Sequence, residues 1–324
     1  MSMHKVFVTH QLPGNRIQTL CQHSDMNVWL GPGLLPAAEL RKELVDAHGV
    51  VCLLTDHIDR AMLDSLPKLR FISSMSVGVD HIDLTAATER GIPVGHTPGV
   101  LVETTADTTF ALLMAASRRV AEADHFIRQG LWRPENAWSP DFFVGKDIAG
   151  ATLGIVGLGA IGSAVARRAG GFGMQVLGWN RTPRNEPGVQ QVTLENLLTR
   201  SDFVAITVAL SDDTRNLIDA QRIALMKSNA VLVNTARGGI VDEDALAKAL
   251  AAGRLFAAGI DVFAREPVSA ANPLMSLPNV VLTPHIGSAT ASTRRRMADM
   301  AADNALAALA GEPMSQCANA DVYE

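Results

Sequence analysis

The chain has 324 residues, 48% of them hydrophobic, and a formal net charge of −5. This length favours two domains with an ample buried core, and the acidic balance argues against a nucleic-acid-binding protein. No apolar run is long enough to span a membrane, and the opening MSMHKVFVTH predicts a strand, not a signal peptide. The three cysteines are scattered and predict reduced thiols in a cytoplasmic protein, without a disulfide framework or a metal site.

The first hundred residues alternate short apolar runs with helical patterns, which predicts a parallel sheet covered by helices. Strands are predicted at 6–9, 27–30, 50–54, 70–73 and 93–95. Helices are predicted near 14–23, 37–47, 59–65 and 83–90. A longer helix over about 101–120, apolar through Phe110 and Leu113, is expected to lead into a second domain.

The alternation begins again at residue 150. Six strands are predicted near 152–156, 174–178, 203–207, 230–233, 257–260 and 280–282. Helices are predicted near 161–171, 193–199, 219–225 and 242–252, and a last helix over about 288–311 is expected to return to the first domain. The predicted class is α/β, with two doubly wound parallel sheets. Residues 101–286 would form a Rossmann nucleotide-binding domain, and 1–100 with 287–324 a flavodoxin-like substrate domain.

The segment TLGIVGLGAIGSAVARRAGGFGMQVLGWNRT, residues 152–182, predicts a strand, a glycine turn, a helix and a second strand. In this arrangement Gly157 permits the tight turn, Gly159 lets the backbone approach a pyrophosphate, and Gly162 lets the helix pack closely on the strand. The helix N-terminus directs N–H groups at the phosphates. Because the glycines lie between a strand and a helix, they predict a dinucleotide site.

The end of the second strand indicates which dinucleotide binds. An NAD site usually has Asp or Glu there, bonded to the ribose 2′-OH, but this chain has Asn180, followed by Arg181 and Thr182. With no carboxylate to repel a 2′-phosphate, and a guanidinium and a hydroxyl to bind it, NADP(H) is predicted to be preferred, with NAD(H) possible. The alternative is that these residues are part of a solvated loop.

Ionisable residues follow three predicted strands of the second domain. They are Arg237 after VLVNTA, Glu266 after GIDVFAR and His285 after VVLTP. Ligands of open α/β sheets bind beyond the carboxyl ends of the strands, so these three side chains are expected to converge. Together they suit carbonyl reduction: the Arg holds a carboxylate and polarises the C=O, the His donates a proton, and the Glu orients the His. Each has a simpler interpretation as a loop or surface residue.

The remaining histidines are predicted to be solvated or packed without a catalytic role. They are His4, His10, His23, His48, His57, His81, His96 and His125.

Taken together, GLGAIG, NTARGGIVDEDAL, GIDVFAREP and TPHIGSAT resemble the D-isomer-specific 2-hydroxyacid dehydrogenase family over nearly the whole chain. Within it the chain is most similar to the glyoxylate/hydroxypyruvate reductases, through SVGVDHIDL, GIPVGHTPGVLVETTAD and PHIGSATASTR. Glu266 is retained, whereas the formate dehydrogenase branch has Gln at the equivalent position.

This resemblance implies that Arg237, Glu266 and His285 are the catalytic set. It implies that the N–H groups of Val77 and Gly78 hold the substrate carboxylate, which suits a glycine loop after a strand. It also implies further cofactor contacts, from Thr105, from the amides of Ala160 and Ile161, and from Asp261 to the nicotinamide carboxamide. Members are usually dimers built on the nucleotide-binding domains. In the glyoxylate/hydroxypyruvate branch a Trp from the loop before the glycine strand reaches the partner's active site, and Trp138 is the first candidate here, with Trp132 second.

The resulting hypothesis is an NADPH-dependent reductase of small 2-oxo acids, converting glyoxylate to glycolate and hydroxypyruvate to D-glycerate. One alternative is a reductase of bulkier acids such as 2-ketogluconate or phenylpyruvate. Pocket size decides between the two, and Leu54 and Trp138 are the predicted substrate-binding residues that set it. The other alternative is a nucleotide-sensing scaffold like the related corepressors, which keep the same three catalytic residue types.

Overall fold

The computed structural model describes residues 3–324 and divides into two compact units. The first unit runs to Leu101 and resumes at Ala289, and the second comprises Val102–Ser288. Across residues 3–324, no helix has both the length and the apolar character needed to cross a bilayer.

The first unit contains a five-stranded parallel sheet in the order β2-β1-β3-β4-β5. Its strands are β1 (Lys5–Val8), β2 (Asp25–Val28), β3 (Gly49–Cys52), β4 (Phe71–Ser74) and β5 (Val94–Gly95). Its helices are α1 (Arg16–His23), α2 (Ala37–Leu44), α3 (Arg60–Asp64), α4 (Leu84–Glu89) and α11 (Ala291–Leu309). The strand order 2-1-3-4-5 is that of flavodoxin-like sheets.

The helix α11 belongs to the first unit because its apolar stripe completes that unit's core. Ala298, Ala301 and Ala305 are fully buried and pack with Val6, Val51 and Phe71 of the sheet. The small alanine side chains let the helix lie close to the strands. The chain therefore returns to the first unit through this helix.

The second unit contains a seven-stranded parallel sheet in the order β12-β11-β10-β9-β6-β7-β8. Its strands are β6 (Thr152–Val156), β7 (Gln175–Trp179), β8 (Val189–Gln191), β9 (Phe203–Ile206), β10 (Val231–Asn234), β11 (Ala257–Ile260) and β12 (Val280–Leu282). Its helices are α5 (Val102–Ser117), α6 (Val120–Arg128), α7 (Ala160–Gly171), α8 (Leu194–Arg200), α9 (Ala220–Leu225) and α10 (Glu243–Ala251). This is the Rossmann order, with its reversal between β6 and β9. The predicted α/β class with two parallel sheets is confirmed.

Two elements differ from the sequence prediction. Six strands were expected in the second sheet, but β8 adds a seventh at the edge beyond β7. It is three residues long and contains no fully buried residue, so it lacks an apolar pattern. The helix α6 was also missed. It starts after Arg119, whose left-handed backbone (φ 54°) ends the preceding helical path, and none of its residues is buried.

Candidate active site

The glycine turn after β6 has the geometry that its three glycines predict. Gly157 has φ of 105°, and a Cβ there would lie 2.5 Å from the backbone N of Val208. A Cβ on Gly162 would lie 2.0 Å from the carbonyl oxygen of Gly157. Around Gly159, by contrast, no described atom lies within 4 Å of a Cβ position. The first and third glycines are thus required for packing, and the second leaves open space for an approaching group.

Within residues 3–324, the first N–H groups of the helix α7, at this turn, have no acceptor. It begins at Ala160, and the N–H of Ser163 is the first to bond back, to the carbonyl of Gly159 at 2.9 Å. The N–H groups of Ala160 and Ile161 precede that bond, so the helix supplies them no acceptor. The positive end of the helix dipole adds to them. An anionic pyrophosphate fits this arrangement.

The residues after β7 surround the same turn. The Asn180 side-chain oxygen accepts from the N–H of Leu158 at 2.6 Å, and Arg184 donates to the Leu158 carbonyl at 3.0 Å. Arg181 pairs with Asp213 at 2.7 Å, with both side chains at least 70% exposed. Thr182 is exposed. Asp213 is a neighbour that the sequence analysis missed, because it lies after a different strand.

Arg237 follows β10 on a loop fixed by Asn234. The fully buried Asn234 amide donates to the carbonyl of Arg237 at 2.9 Å, and its oxygen accepts from the N–H of Ala236 at 3.1 Å. A Cβ on Gly238 would lie 1.8 Å from the carbonyl carbon of Phe263, so this glycine lets the loop contact the segment after β11. The loop that carries Arg237 therefore rests on the loop that carries Glu266.

Glu266 and His285 form a direct pair. Nδ1 of His285 lies 2.7 Å from Oε2 of Glu266, and Oε1 of Glu266 accepts from the N–H of Phe263 at 2.9 Å. Both side chains are about a quarter exposed. Burial alone would raise the pKa of Glu266, but the hydrogen bond and charge of His285, with help from the Phe263 N–H and Arg237, lower it below its ordinary value. Glu266 is therefore a carboxylate at neutral pH, and Nε2 is the imidazole nitrogen left to face a substrate.

Asp261, at the end of β11, holds the loop that carries His285. It is fully buried, and its carboxylate accepts from the Thr283 hydroxyl at 2.6 Å and from the N–H groups of Ile286 and Gly287, both at 2.8 Å. Burial raises the pKa of Asp261, against the opposing effect of these bonds. A contact with a nicotinamide carboxamide was expected here; in the described structure the carboxylate serves the His285 loop.

Thr105 lies on α5 beside the same loop. A Cβ on Gly287 would lie 3.4 Å from the methyl carbon of Thr105. The Thr109 hydroxyl donates to the Thr105 carbonyl at 2.8 Å and lies 2.7 Å from the hydroxyl of Thr235. The helix α5 is thus tied to the segment that precedes Arg237.

Other predicted site residues lie in the first unit, and they follow neighbouring strands. Leu54 is half-buried in the turn after β3, and Val77 and Gly78 are half-buried in the loop after β4. Because the strands are parallel, both loops lie at the carboxyl edge of this sheet. Within residues 3–324, neither the N–H of Val77 nor that of Gly78 has a hydrogen-bond acceptor.

Trp138 and Trp132 lie in the segment that follows α6. Trp138 is 79% exposed. Trp132 is 58% exposed, and its indole N–H donates to the carbonyl of Ala137 at 2.7 Å. Neither indole is packed in the second unit's core.

The second unit thus places a guanidinium, a carboxylate and an imidazole after three adjacent strands. The carboxylate–imidazole pair can donate and accept a proton, and the guanidinium can bind an anion. The described residues include no cluster of three or more side chains suited to a metal. This chemistry is that of proton transfer beside a nucleotide site.

Comparison with known proteins agrees with this chemistry. Residues 110–287 match the family described as D-isomer specific 2-hydroxyacid dehydrogenase, NAD binding domain. A glyoxylate reductase of Korarchaeum cryptofilum (strain OPF8) is 46% identical over 324 residues, covering 99% of this chain and 97% of its own. The chain belongs to the D-isomer-specific 2-hydroxyacid dehydrogenase family, and the predicted family membership is confirmed. It is an oxidoreductase of small 2-hydroxy and 2-oxo acids with an NAD-binding domain.

Solved structures give the same family. A protein of Thermus thermophilus is 47% identical with a TM-score of 0.90, covering 97% of this chain and 99% of its own. An NADPH-dependent glyoxylate/hydroxypyruvate reductase of Sinorhizobium meliloti, in complex with NADP and malonate, is 30% identical with a TM-score of 0.86, covering 98% of each chain.

Proposed function

We propose that this enzyme uses NADPH to reduce small 2-oxo acids, with glyoxylate and hydroxypyruvate as the first substrates to test. The products would be glycolate and D-glycerate. The observation that carries the proposal is the 2.7 Å pair of His285, after β12, and Glu266, after β11, which is the strand next to the one that Arg237 follows. The glyoxylate reductase names of the relatives support the substrate class.

The reduced nicotinamide, when bound, supplies the hydride. Arg237 binds the substrate carboxylate and polarises the adjacent carbonyl, since a guanidinium matches a carboxylate bidentately. His285 donates its Nε2 proton to the carbonyl oxygen as negative charge develops there. Glu266 accepts from Nδ1–H, which orients the ring and stabilises the imidazolium before the proton is given up.

The cofactor preference rests on the residues after β7. Asn180 offers no carboxylate to repel a 2′-phosphate, while Arg181 and Thr182 are exposed to receive one. The Arg181–Asp213 ion pair does not prevent this, because an exposed pair is worth only about 0–1 kcal/mol. A phosphate, which carries more charge than a carboxylate, competes well against the exposed Asp213. The NADP complex of the Sinorhizobium meliloti relative supports the preference.

In the first unit, the Val77 and Gly78 N–H groups would bind the substrate carboxylate, and Leu54 would contact the substrate. The first unit is then the substrate domain, and the second is the cofactor domain, which also bears Thr105, Asp261 and the catalytic set. Asp261 would act on the nicotinamide side of the site through the loop it holds.

We further propose a homodimer built through α5, α6 and the segment after them. Large exposed apolar side chains concentrate there, which is typical of a surface covered by a partner. They are Met114, Val120, Ile127, Leu131, Trp132, Trp138 and Val144. Trp138 is the residue proposed to reach the partner's active site. The free state of all three cysteines suits a cytoplasmic enzyme.

The decisive experiment follows absorbance at 340 nm with glyoxylate, hydroxypyruvate, 2-ketogluconate and phenylpyruvate, each with NADPH and with NADH. The highest kcat/KM with glyoxylate or hydroxypyruvate and NADPH is expected. A higher value for a bulkier acid would transfer the assignment to that alternative. No turnover of any 2-oxo acid would overturn the proposal in favour of a nucleotide-sensing scaffold.

A further inference from the structure

The loop after β4 in the first unit is held by hydrogen bonds on three successive carbonyl groups. The Ser76 carbonyl accepts from the N–H of Thr97 at 2.7 Å. The Val77 carbonyl accepts from Nδ1 of His96 at 3.0 Å, and the Gly78 carbonyl accepts from the Ser76 hydroxyl at 2.8 Å. Because each carbonyl has its own partner, the peptide planes of this loop are fixed individually.

Fixing a carbonyl also aims the next N–H group. In a trans peptide the C=O and the following N–H point in opposite directions from one rigid plane. The bond on Ser76 O therefore directs the Val77 N–H away from Thr97, and the bond on Val77 O directs the Gly78 N–H away from His96. Neither of these two N–H groups has an acceptor within residues 3–324.

The hydroxyl bonds have a single direction. A carbonyl only accepts, so Ser76 donates its one hydroxyl proton to Gly78. The Ser74 hydroxyl, 2.7 Å from that of Ser76, must then donate to it, and so it accepts from Nε2–H of the buried His81 at 3.0 Å. The result is an ordered chain from His81 through two serines to Gly78.

His96 is itself held firmly. Its N–H donates to the carbonyl of Gln316, and its carbonyl accepts from the amide of Asn304 on α11, both at 3.0 Å. Asn304 is fully buried. The bond to Val77 therefore starts from a rigid backbone, and the return of α11 to this unit contributes to its placement.

We propose that His96 and Ser76 are positioning residues that aim the Val77 and Gly78 N–H groups at the carboxylate of the substrate. This inference rests on the proposed function only in taking that carboxylate as the ligand of the two N–H groups. Neither side chain touches the substrate. They preorganise the loop. Because its orientation is already fixed in the free enzyme, less conformational entropy is lost when the substrate binds.

The test uses oxalate, an anion with no reducible carbonyl, and its Kd measured by calorimetry in the presence of NADPH. Loss of a well-aimed hydrogen bond to a charged group costs about 10- to 150-fold in affinity, and loosening one should fall at the lower end, about tenfold. His96→Leu should raise the Kd of oxalate and the KM of glyoxylate by about this factor, with little change in kcat. The Kd of NADPH should stay constant.

His96→Asn separates positioning from packing. Its amide N is the same number of bonds from the backbone as Nδ1, so it can restore the bond to Val77 and should return the oxalate Kd close to the wild-type value. His23→Leu is the matched control, because His23 Nδ1 also bonds a backbone carbonyl, that of Thr19, on the exposed α1. It should change nothing.

An unchanged oxalate Kd in His96→Leu would overturn the inference, as would a failure of Asn to restore binding. Should His96→Leu not fold, Ser76→Ala tests the same idea with the same expected rise and the same overturning result. Oxalate binding is measured without turnover. A wrong substrate assignment would therefore be detected in the activity assays at 340 nm, and the oxalate Kd values could still be interpreted.

Discussion

His285 and Asp261 are joined through their backbones: the His285 N–H donates to the Asp261 carbonyl at 2.8 Å. His285 has φ of 53°, a left-handed conformation that a residue other than glycine rarely adopts. The Asp261 carboxylate binds the N–H groups of the next two residues and so keeps the loop in this shape. The buried carboxylate thus offsets the backbone strain at His285. The left-handed conformation turns the imidazole towards Glu266.

Asp261→Asn should lower kcat by about tenfold or more, since an unsatisfied buried polar group costs roughly 1–3 kcal/mol. An amide has one acceptor oxygen, so its NH₂ group would face a backbone N–H. Steady-state kinetics and the Kd of NADPH would be measured together. A fall in kcat with constant cofactor Kd indicates loop positioning, whereas a large rise in Kd indicates a direct nicotinamide contact. Thr283→Val removes one of the three bonds and should give a smaller loss.

His285→Ala should nearly abolish reduction while NADPH still binds. Removal of a general acid typically costs about 10²- to 10⁴-fold in rate. Turnover at 340 nm and cofactor binding by fluorescence measure the two parts. His23→Ala, on the exposed side of α1, is the control. A kcat close to wild type in His285→Ala would refute the assignment of His285 as proton donor.

The sequence was sufficient to predict the features that depend on short segments of the chain. The tight turn at Gly157 and the packing at Gly162 follow from sterics within a short segment, and the alternation of apolar runs placed Arg237, Glu266 and His285 after strands. The contacts that could not be predicted join residues far apart in the chain. Asp213 meets Arg181 across 32 positions, and the Asp261 carboxylate meets the Gly287 N–H across 26.

His96 shows the same limit for histidines. It was predicted to be solvated or packed, since nothing in GIPVGHTPG distinguishes it from the other seven non-catalytic candidates. Its bond to Val77 exists because β4 and β5 are adjacent parallel strands whose following loops meet at one edge. Pairing of strands, which the sequence pattern does not specify, creates that contact.

Arg237→Lys should not retain the activity of the wild-type enzyme. Lysine keeps the charge but lacks the planar fork that binds a carboxylate with two parallel hydrogen bonds. We expect a large fall in kcat/KM and a smaller fall in kcat, because the carbonyl is also less polarised. Kinetics with glyoxylate would measure both, with Arg254→Lys as an exposed control. Full efficiency in Arg237→Lys would reduce Arg237 to an electrostatic neighbour.

The Glu266–His285 pair should make stability depend on pH in a defined direction. The pKa of Glu266 is lowered in the folded protein relative to its ordinary value of about 4.3. The stabilisation is therefore fully present above that ordinary value and is lost as the pH falls through the lowered one. Urea unfolding at several pH values should show wild type and Glu266→Gln converging in acid. Glu195→Gln, on the exposed face of α8, is the control, and its free energy of unfolding should follow that of wild type at every pH. A difference in unfolding free energy between wild type and Glu266→Gln that widens in acid would contradict the prediction.

The cofactor preference should respond to three residues after β7 and β9. Wild type should prefer NADPH, chiefly in KM, because a charge-assisted hydrogen bond is worth roughly 1.5–3 kcal/mol, or about 10- to 150-fold. Asp213→Asn should strengthen this preference, since it frees Arg181 from its carboxylate partner. Asn180→Asp with Arg181→Ala should reverse it: one Asp oxygen can keep accepting from the Leu158 N–H, while the other bonds the 2′-OH and repels a phosphate. The measurement is kcat/KM for both cofactors in all three proteins. Equal or better use of NADH by wild type would return Arg181 to the role of a solvated loop residue.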